Sequence, residues 1–151
     1  MKKNNLRSHF HCVYELSYHL VLVTKYRKKC LNSEMIKSLE KIFYTLCQKW
    51  DVTLKEFGGE KDHVHLLIQT HPAMQMSVFV NNIKTVSSRY LRRDYSAELE
   101  QYYWKPVLWS RAYCLLTCGG APLEKIKDYI QNQGNEKSSR RRPTNSSPPK
   151  G

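Results

Sequence analysis

His63-Val64-His65 places two imidazoles at i and i+2 in a stretch, His63 to Thr70, that reads as a β-strand. Side chains two apart on a strand share a face, so both rings emerge together while Val64, Leu66 and Ile68 point the other way. Two aligned ring nitrogens make half of a metal site. The spacing alone is a weak signal, because His9-Phe10-His11 repeats it in the polar start of the chain. Leu67 shares the histidine face, so that face is not simply a solvated one. Far along the chain, Tyr129 and Gln133 stand four residues apart in a helical stretch, one above the other, whereas Gln131 projects away. A phenol and an amide oxygen can therefore meet one place.

Joined, the two pairs suit phosphodiester cleavage, which needs a nucleophile in line and a cation that neutralises charge on the phosphoryl oxygens. Tyrosine, with an unperturbed pKa of about 10, is a poor nucleophile at neutral pH unless an adjacent cation favours the phenolate. Two imidazoles and one amide oxygen leave positions open for phosphate and water. All three are neutral, so a bound ion keeps its full charge for a polyanion. Mg²⁺ prefers oxygen ligands, and Mn²⁺ tolerates two imidazoles at least as well. Zn²⁺ ranks third, since no cysteine falls near either half of the site.

A chain of 151 residues, 40% of them hydrophobic, supports one compact domain with a real core, so one domain must carry any chemistry. Lys and Arg number 25 against 13 Asp and Glu, and the net charge of +12 points to a polyanionic partner. No long apolar run is present, and Met1 to Ser8 is polar and basic, which argues against membrane insertion and secretion. Cys12, Cys30, Cys47, Cys114 and Cys118 form an odd set without a CxxC pair, as expected of reduced, mostly buried thiols in a cytoplasmic protein.

The elements that must position these groups follow from periodicity. Tyr14 to Arg27 reads as the first strand around Tyr18-His19-Leu20-Val21-Leu22-Val23. Asn32 or Ser33 then caps a helix whose apolar residues Met35, Ile36, Leu39, Ile42, Phe43, Leu46 and Trp50 recur every three or four positions. Val52 to Phe57 alternates like a strand, Gly58-Gly59 signals a turn, and His63 to Thr70 returns as its hairpin partner. A second helix is expected over Met76 to Tyr95, with a basic side. Val107 to Thr117 supplies another strand, and after the Cys118-Gly119-Gly120-Ala121-Pro122 break, Leu123 to Asn132 restarts helical periodicity. From Ser138 onward there is no apolar residue, so residues 138–151 read as a disordered basic tail behind a single domain of residues 1–137. The order predicts an α+β fold, a ferredoxin-like (split βαβ) antiparallel sheet with helices on one face, plus a C-terminal helix.

Residue blocks in this chain resemble the small single-tyrosine HUH transposases of bacterial and archaeal insertion sequences, the TnpA type. They run from Tyr18-His19-Leu20-Val21-Leu22-Val23-Thr24-Lys25-Tyr26-Arg27 through Glu56-Phe57-Gly58-Gly59-Glu60-Lys61-Asp62-His63-Val64-His65-Leu66-Leu67 to Lys84-Thr85-Val86-Ser87-Ser88-Arg89. Tyr103-Trp104-Lys105-Pro106-Val107-Leu108-Trp109-Ser110, Cys118-Gly119-Gly120-Ala121-Pro122-Leu123 and Lys127-Asp128-Tyr129-Ile130-Gln131-Asn132-Gln133 continue them in the family's order. The resemblance implies that His63, His65 and Gln133 hold the metal, Mg²⁺ or Mn²⁺, and that Tyr129 forms a 5′-phosphotyrosine link and frees a 3′-hydroxyl. It also implies a homodimer in which the last helix of one chain completes the site of the other, the Gly119-Gly120 break acting as a movable arm. The partner it implies is single-stranded DNA with hairpins near the element ends. Lys25, Arg27, Lys28, Lys84, Arg89, Arg92 and Arg93 are the candidate DNA contacts.

Two rival readings compete with this one. A noncatalytic nucleic-acid-binding module on the same architecture has no use for His63, His65 and Gln133. A domesticated repeat-hairpin-processing relative, or a rolling-circle type nickase, keeps the chemistry and changes the biology. Tyr102-Tyr103 offers a different nucleophile, although Trp104 and Pro106 beside it suggest packing.

Overall fold

The computed structural model describes residues 7–9, 12–14, 16–118 and 130–131. Two short antiparallel strands, β1 (Arg7–His9) and β2 (Cys12–Tyr14), precede the main sheet. That sheet holds β3 (Leu16–Thr24), β4 (Thr53–Glu60), β5 (His63–Thr70) and β6 (Trp109–Thr117) in the order β4-β5-β3-β6, every neighbouring pair antiparallel. Helices α1 (Ser33–Lys49) and α2 (Met76–Asp94) make the two crossovers, which gives the split βαβ arrangement its sequence pattern requires. A five-residue helix α3 (Ser96–Glu100), not anticipated from the sequence, follows α2.

The sheet's two faces have different tasks. Leu20, Leu22, Val64, Leu66 and Ile68 alternate toward the helices and are fully buried with Met35, Leu39 and Phe43 of α1 and Phe79, Val80 and Ile83 of α2. The α1 residues recur at the helical spacing, and the Asn32 side chain caps the helix by accepting from the Met35 backbone N–H at 2.9 Å. Phe43 sits between Phe57 and Trp109, with ring centroids at 6.0 and 6.5 Å. Phe43→Ala is therefore expected to cost about 3–5 kcal/mol of unfolding free energy in a urea titration. A loss below about 1 kcal/mol would mean that this core is not packed around Phe43.

The hairpin between β4 and β5 turns three residues later than the glycines suggest. Gly58 and Gly59 lie inside β4, paired with His65 and Val64, and Lys61-Asp62 makes the two-residue turn. A Cβ on Gly59 would stand 2.9 Å from Ile36 Cγ2, so glycine is needed there for the close approach of β4 to α1 rather than for a turn. The turn is fastened from outside: Thr24 donates to the Asp62 carbonyl through its backbone N–H (3.0 Å) and its hydroxyl (3.1 Å), and Leu31 N–H donates to the Lys61 carbonyl at 2.9 Å. This fixes the residue before His63 against the end of β3.

Candidate active site

The face away from the helices carries both histidines. β3 and β5 pair with Val21 opposite His65 and Val23 opposite His63, and β6 adds Cys114 opposite Val21. His63 and His65 are partly exposed on this face, whereas Val64 between them is completely buried on the other. Gly58, the β4 neighbour of His65, has no atom of the described residues within 4 Å of where a Cβ would be.

Each ring is held by a partner that sequence spacing alone did not identify. His63 Nδ1–H donates to Asp62 Oδ1 at 2.8 Å, which orients the ring and leaves Nε2 as the nitrogen the carboxylate does not engage. The other carboxylate oxygen of Asp62 accepts from Arg27 Nε at 2.8 Å. Burial works against the ionised carboxyl of Asp62, but the hydrogen bonds from His63 and Arg27 outweigh it and hold its pKa below the usual carboxylate range. His65 Nε2 lies 2.8 Å from His19 Nδ1, the rings stacked with centroids 5.0 Å apart. Burial, reinforced by His19 beside it, keeps His65 below the usual histidine range and so favours its uncharged ring.

Tyr129 and Gln133 lie outside the described residues, but the two residues between them that are described, Ile130 and Gln131, are helical and reach this face. Ile130 is buried with Val21, Val23 and Cys114. Arg27 Nη1 donates to the Gln131 carbonyl at 3.2 Å, so one guanidinium spans from the Asp62–His63 pair to Gln131. Among the described residues no group of three His, Cys, Asp or Glu side chains is arranged to hold a metal ion. Two imidazoles on one strand face, one held by a carboxylate and the other with its charged form disfavoured, are donor chemistry that fits a divalent ion.

The basic candidates divide by what holds them. Lys25 and Lys28 line a cavity beside the turn, while Arg27 is committed to Asp62 and Gln131. Lys84 donates to the carbonyls of Ser110 (2.7 Å) and Arg111 (3.0 Å), tying α2 to β6. Arg89 is exposed, Arg92 donates to Ser88 Oγ at 3.1 Å, and the exposed Arg93 pairs with Asp94 at 2.8 Å. Tyr103 is buried and donates its hydroxyl to the Lys25 carbonyl at 2.6 Å. Burial raises its pKa far above the ordinary tyrosine value, the opposite of what a nucleophile needs. The basic tail from Ser138 and the Gly119-Gly120 break lie outside the described residues. No helix among the described residues is long and apolar enough to cross a membrane.

Residues 12–133 match the family model described as "Transposase IS200 like". The chain is 31% identical over 121 residues to the ISDra2 transposase TnpA of Deinococcus radiodurans, covering 80% of this chain and 86% of that protein. It is also 31% identical over 123 residues to the transposase for insertion sequence element IS200 of Salmonella typhimurium, covering 82% of this chain and 80% of that protein. A crystal structure of a Deinococcus radiodurans R1 protein assigned as a transposase superposes with a TM-score of 0.77 at 31% identity, over 84% of this chain and 97% of that one.

Proposed function

This chain belongs to the IS200-like transposase family, and from that premise we propose that it cuts and rejoins single-stranded DNA at insertion-sequence ends through a 5′-phosphotyrosine intermediate. The observation that most supports this reading is the meeting, on one sheet face, of the His63–His65 pair with the helical residues Ile130 and Gln131 that lie between Tyr129 and Gln133. His63, His65 and Gln133 are the proposed ligands of Mg²⁺ or Mn²⁺. Such an ion neutralises charge on the phosphoryl oxygens and favours the phenolate.

In the proposed reaction the Tyr129 oxygen attacks phosphorus, the bond from phosphorus to the 3′-oxygen breaks, and that oxygen leaves as a 3′-hydroxyl after taking up a proton. The 5′-phosphate remains on the tyrosine as a phosphodiester. Attack by another 3′-hydroxyl restores a DNA phosphodiester and returns the phenol, so bond energy is conserved and no external energy source is needed. Asp62 and Arg27 act as positioning residues: the carboxylate orients His63, and the guanidinium links that carboxylate to the last helix. Lys25, Lys28, Arg89, Arg92 and Arg93 are proposed to contact the DNA backbone, with Arg27 and Lys84 adding to the positive field from their fixed places.

The reading is tested by incubating the chain with a single-stranded element end under chelation and then with added Mg²⁺ or Mn²⁺. A nick that requires the added ion is expected. Cleavage unaffected by chelation would overturn the metal assignment, and binding without any nick would favour a noncatalytic module.

We also propose a homodimer that shares its sites. The contacts of Ile130 and Gln131 are made here within one chain, and exchange of the last helix between two chains would re-create the same contacts across the dimer. Mixing inactive Tyr129→Phe chains with inactive His63→Ala chains is then expected to recover cleavage, because one site in the heterodimer is complete. No recovery, with heterodimers demonstrated, would leave each site within one chain.

A further inference from the structure

Beside the turn that follows β3 lies a cavity of about 620 Å³ that the cleavage chemistry itself leaves unused. Its walls include Lys25, Tyr26, Lys28, Tyr102, Trp104 and Lys105. Trp104 is 89% exposed and Tyr26 60%, an unusual state for large aromatic side chains in a chain with a full core. Each carries a lysine over one ring face, Lys105 Nζ at 4.8 Å from the Trp104 centroid and Lys25 Nζ at 5.4 Å from that of Tyr26. Their exposure leaves aromatic surface toward solvent, where a flat ligand could lie.

Local backbone geometry holds this arrangement next to the histidine face. Tyr26 and Arg27 occupy the left-handed region in succession, with φ of 57° and 53°, a conformation non-glycine residues rarely adopt. It sends the Tyr26 ring to the cavity and the Arg27 guanidinium to Asp62, so a three-residue turn separates the cavity from His63. Buried Tyr103 braces the turn from below through the Lys25 carbonyl, and Lys25 N–H donates to the Leu108 carbonyl at 2.7 Å. A second cavity of about 300 Å³ shares Trp104 and Lys105 with the first and adds Arg92, so cationic groups continue past the indole.

We infer that this cavity receives an unpaired nucleobase of the single-stranded substrate, stacked on Trp104 or Tyr26, while the lysines meet the adjoining phosphates. The inference deepens the function proposed above and rests on it for the identity of the strand. Exposed aromatic faces interleaved with ammonium groups match a ligand that is flat and apolar on one part and anionic on the next. A nucleotide has both, and every base has a face to stack. The cavity would hold the strand on one side of the scissile phosphate.

The test uses the full chain under chelation, so that no cleavage is required, and titrates oligothymidylate against an abasic phosphodiester chain of equal length and charge. Oligothymidylate is expected to quench tryptophan fluorescence and to bind about tenfold more tightly than the abasic chain. Trp104→Ala and Tyr26→Ala should each weaken oligothymidylate binding by about tenfold, leave abasic binding unchanged, and leave the melting temperature near that of wild type. Lys105→Ala should weaken both ligands alike and flatten their salt dependence. Equal affinity for the two chains, or wild-type oligothymidylate binding by both aromatic variants, would overturn the inference. So would equal quenching by a phosphoserine peptide of the same charge. Base-dependent binding by a protein that never nicks element-end DNA would keep the cavity and reject the transposase chemistry; nicking without base-dependent binding would do the reverse.

Discussion

Tyr129→Phe is expected to lower strand cleavage by roughly four orders of magnitude or more while hairpin binding and the melting temperature stay near wild type. Phenylalanine keeps the ring and loses only the oxygen that would attack phosphorus. Neighbouring Ile130 is anchored among Val21, Val23 and Cys114, and the substitution leaves that contact in place. The comparison that matters is with Tyr102→Phe and Tyr103→Phe. Tyr103 is buried and spends its hydroxyl on the Lys25 carbonyl, and Tyr102 lines the lysine-rich cavity. Both variants should cut. A quantitative single-turnover assay on a 5′-labelled single strand measures all three, and cleavage by Tyr129→Phe at more than about a tenth of the wild-type rate would remove Tyr129 from the role given to it.

The second large effect is expected at the histidine pair. His63→Ala or His65→Ala should abolish metal-dependent cleavage and reduce Mn²⁺ binding below detection by electron paramagnetic resonance, with DNA affinity changed by no more than about twofold. In the proposed mechanism affinity comes from the distributed positive surface, and the histidines act only at the reacting phosphate. Asp62→Asn should fall between, losing about 10–100-fold in Mn²⁺ affinity, because the amide cannot hold the His63 ring in place as the carboxylate does. Mn²⁺ binding by His63→Ala equal to that of wild type would place the ion elsewhere.

The strongest local periodicities survive folding with little change. Met35, Leu39, Phe43 and Leu46 repeat at helical spacing and form the buried side of α1, and the alternation of Val64, Leu66 and Ile68 with His63, His65 and Leu67 is the two-faced β5. The Gly58-Gly59 pair misled because glycine signals a turn through its backbone freedom, while here the missing Cβ is what matters, against Ile36. The actual turn at Lys61-Asp62 depends on Thr24 and Leu31, more than thirty residues and about thirty residues earlier in the chain, which no local pattern shows.

The same distinction governs the site. His63 and His65 are two apart and could be paired on paper. His19 joins them only through the β3–β5 register, 46 residues away, and Arg27 reaches Asp62 across 35. Once β3 is aligned antiparallel to β5, the i, i+2 rule puts His19, Val21 and Val23 on the histidine face, so His19 was recoverable from strand pairing but not from motif spacing. Asp62 stood next to His63 in the sequence, and its significance lay in the carboxylate–imidazole hydrogen bond rather than in its position. Trp104 and Tyr26 were harder to read, since loop residues carry no periodicity from which exposure can be inferred, and Trp104 and Pro106 beside Tyr102-Tyr103 suggest packing.

The proposed mechanism stands or falls on a covalent bond between DNA and Tyr129. The most direct measurement combines wild-type protein, Mg²⁺ or Mn²⁺, and a single-stranded element end labelled on the 3′ side of the cut, followed by denaturing electrophoresis and mass spectrometry of the labelled peptide. The predicted result is a label that stays with the protein through denaturation and maps to Tyr129, with an unlabelled fragment ending in a 3′-hydroxyl. Cleavage by water with no adduct, or the same adduct formed by Tyr129→Phe, would contradict it.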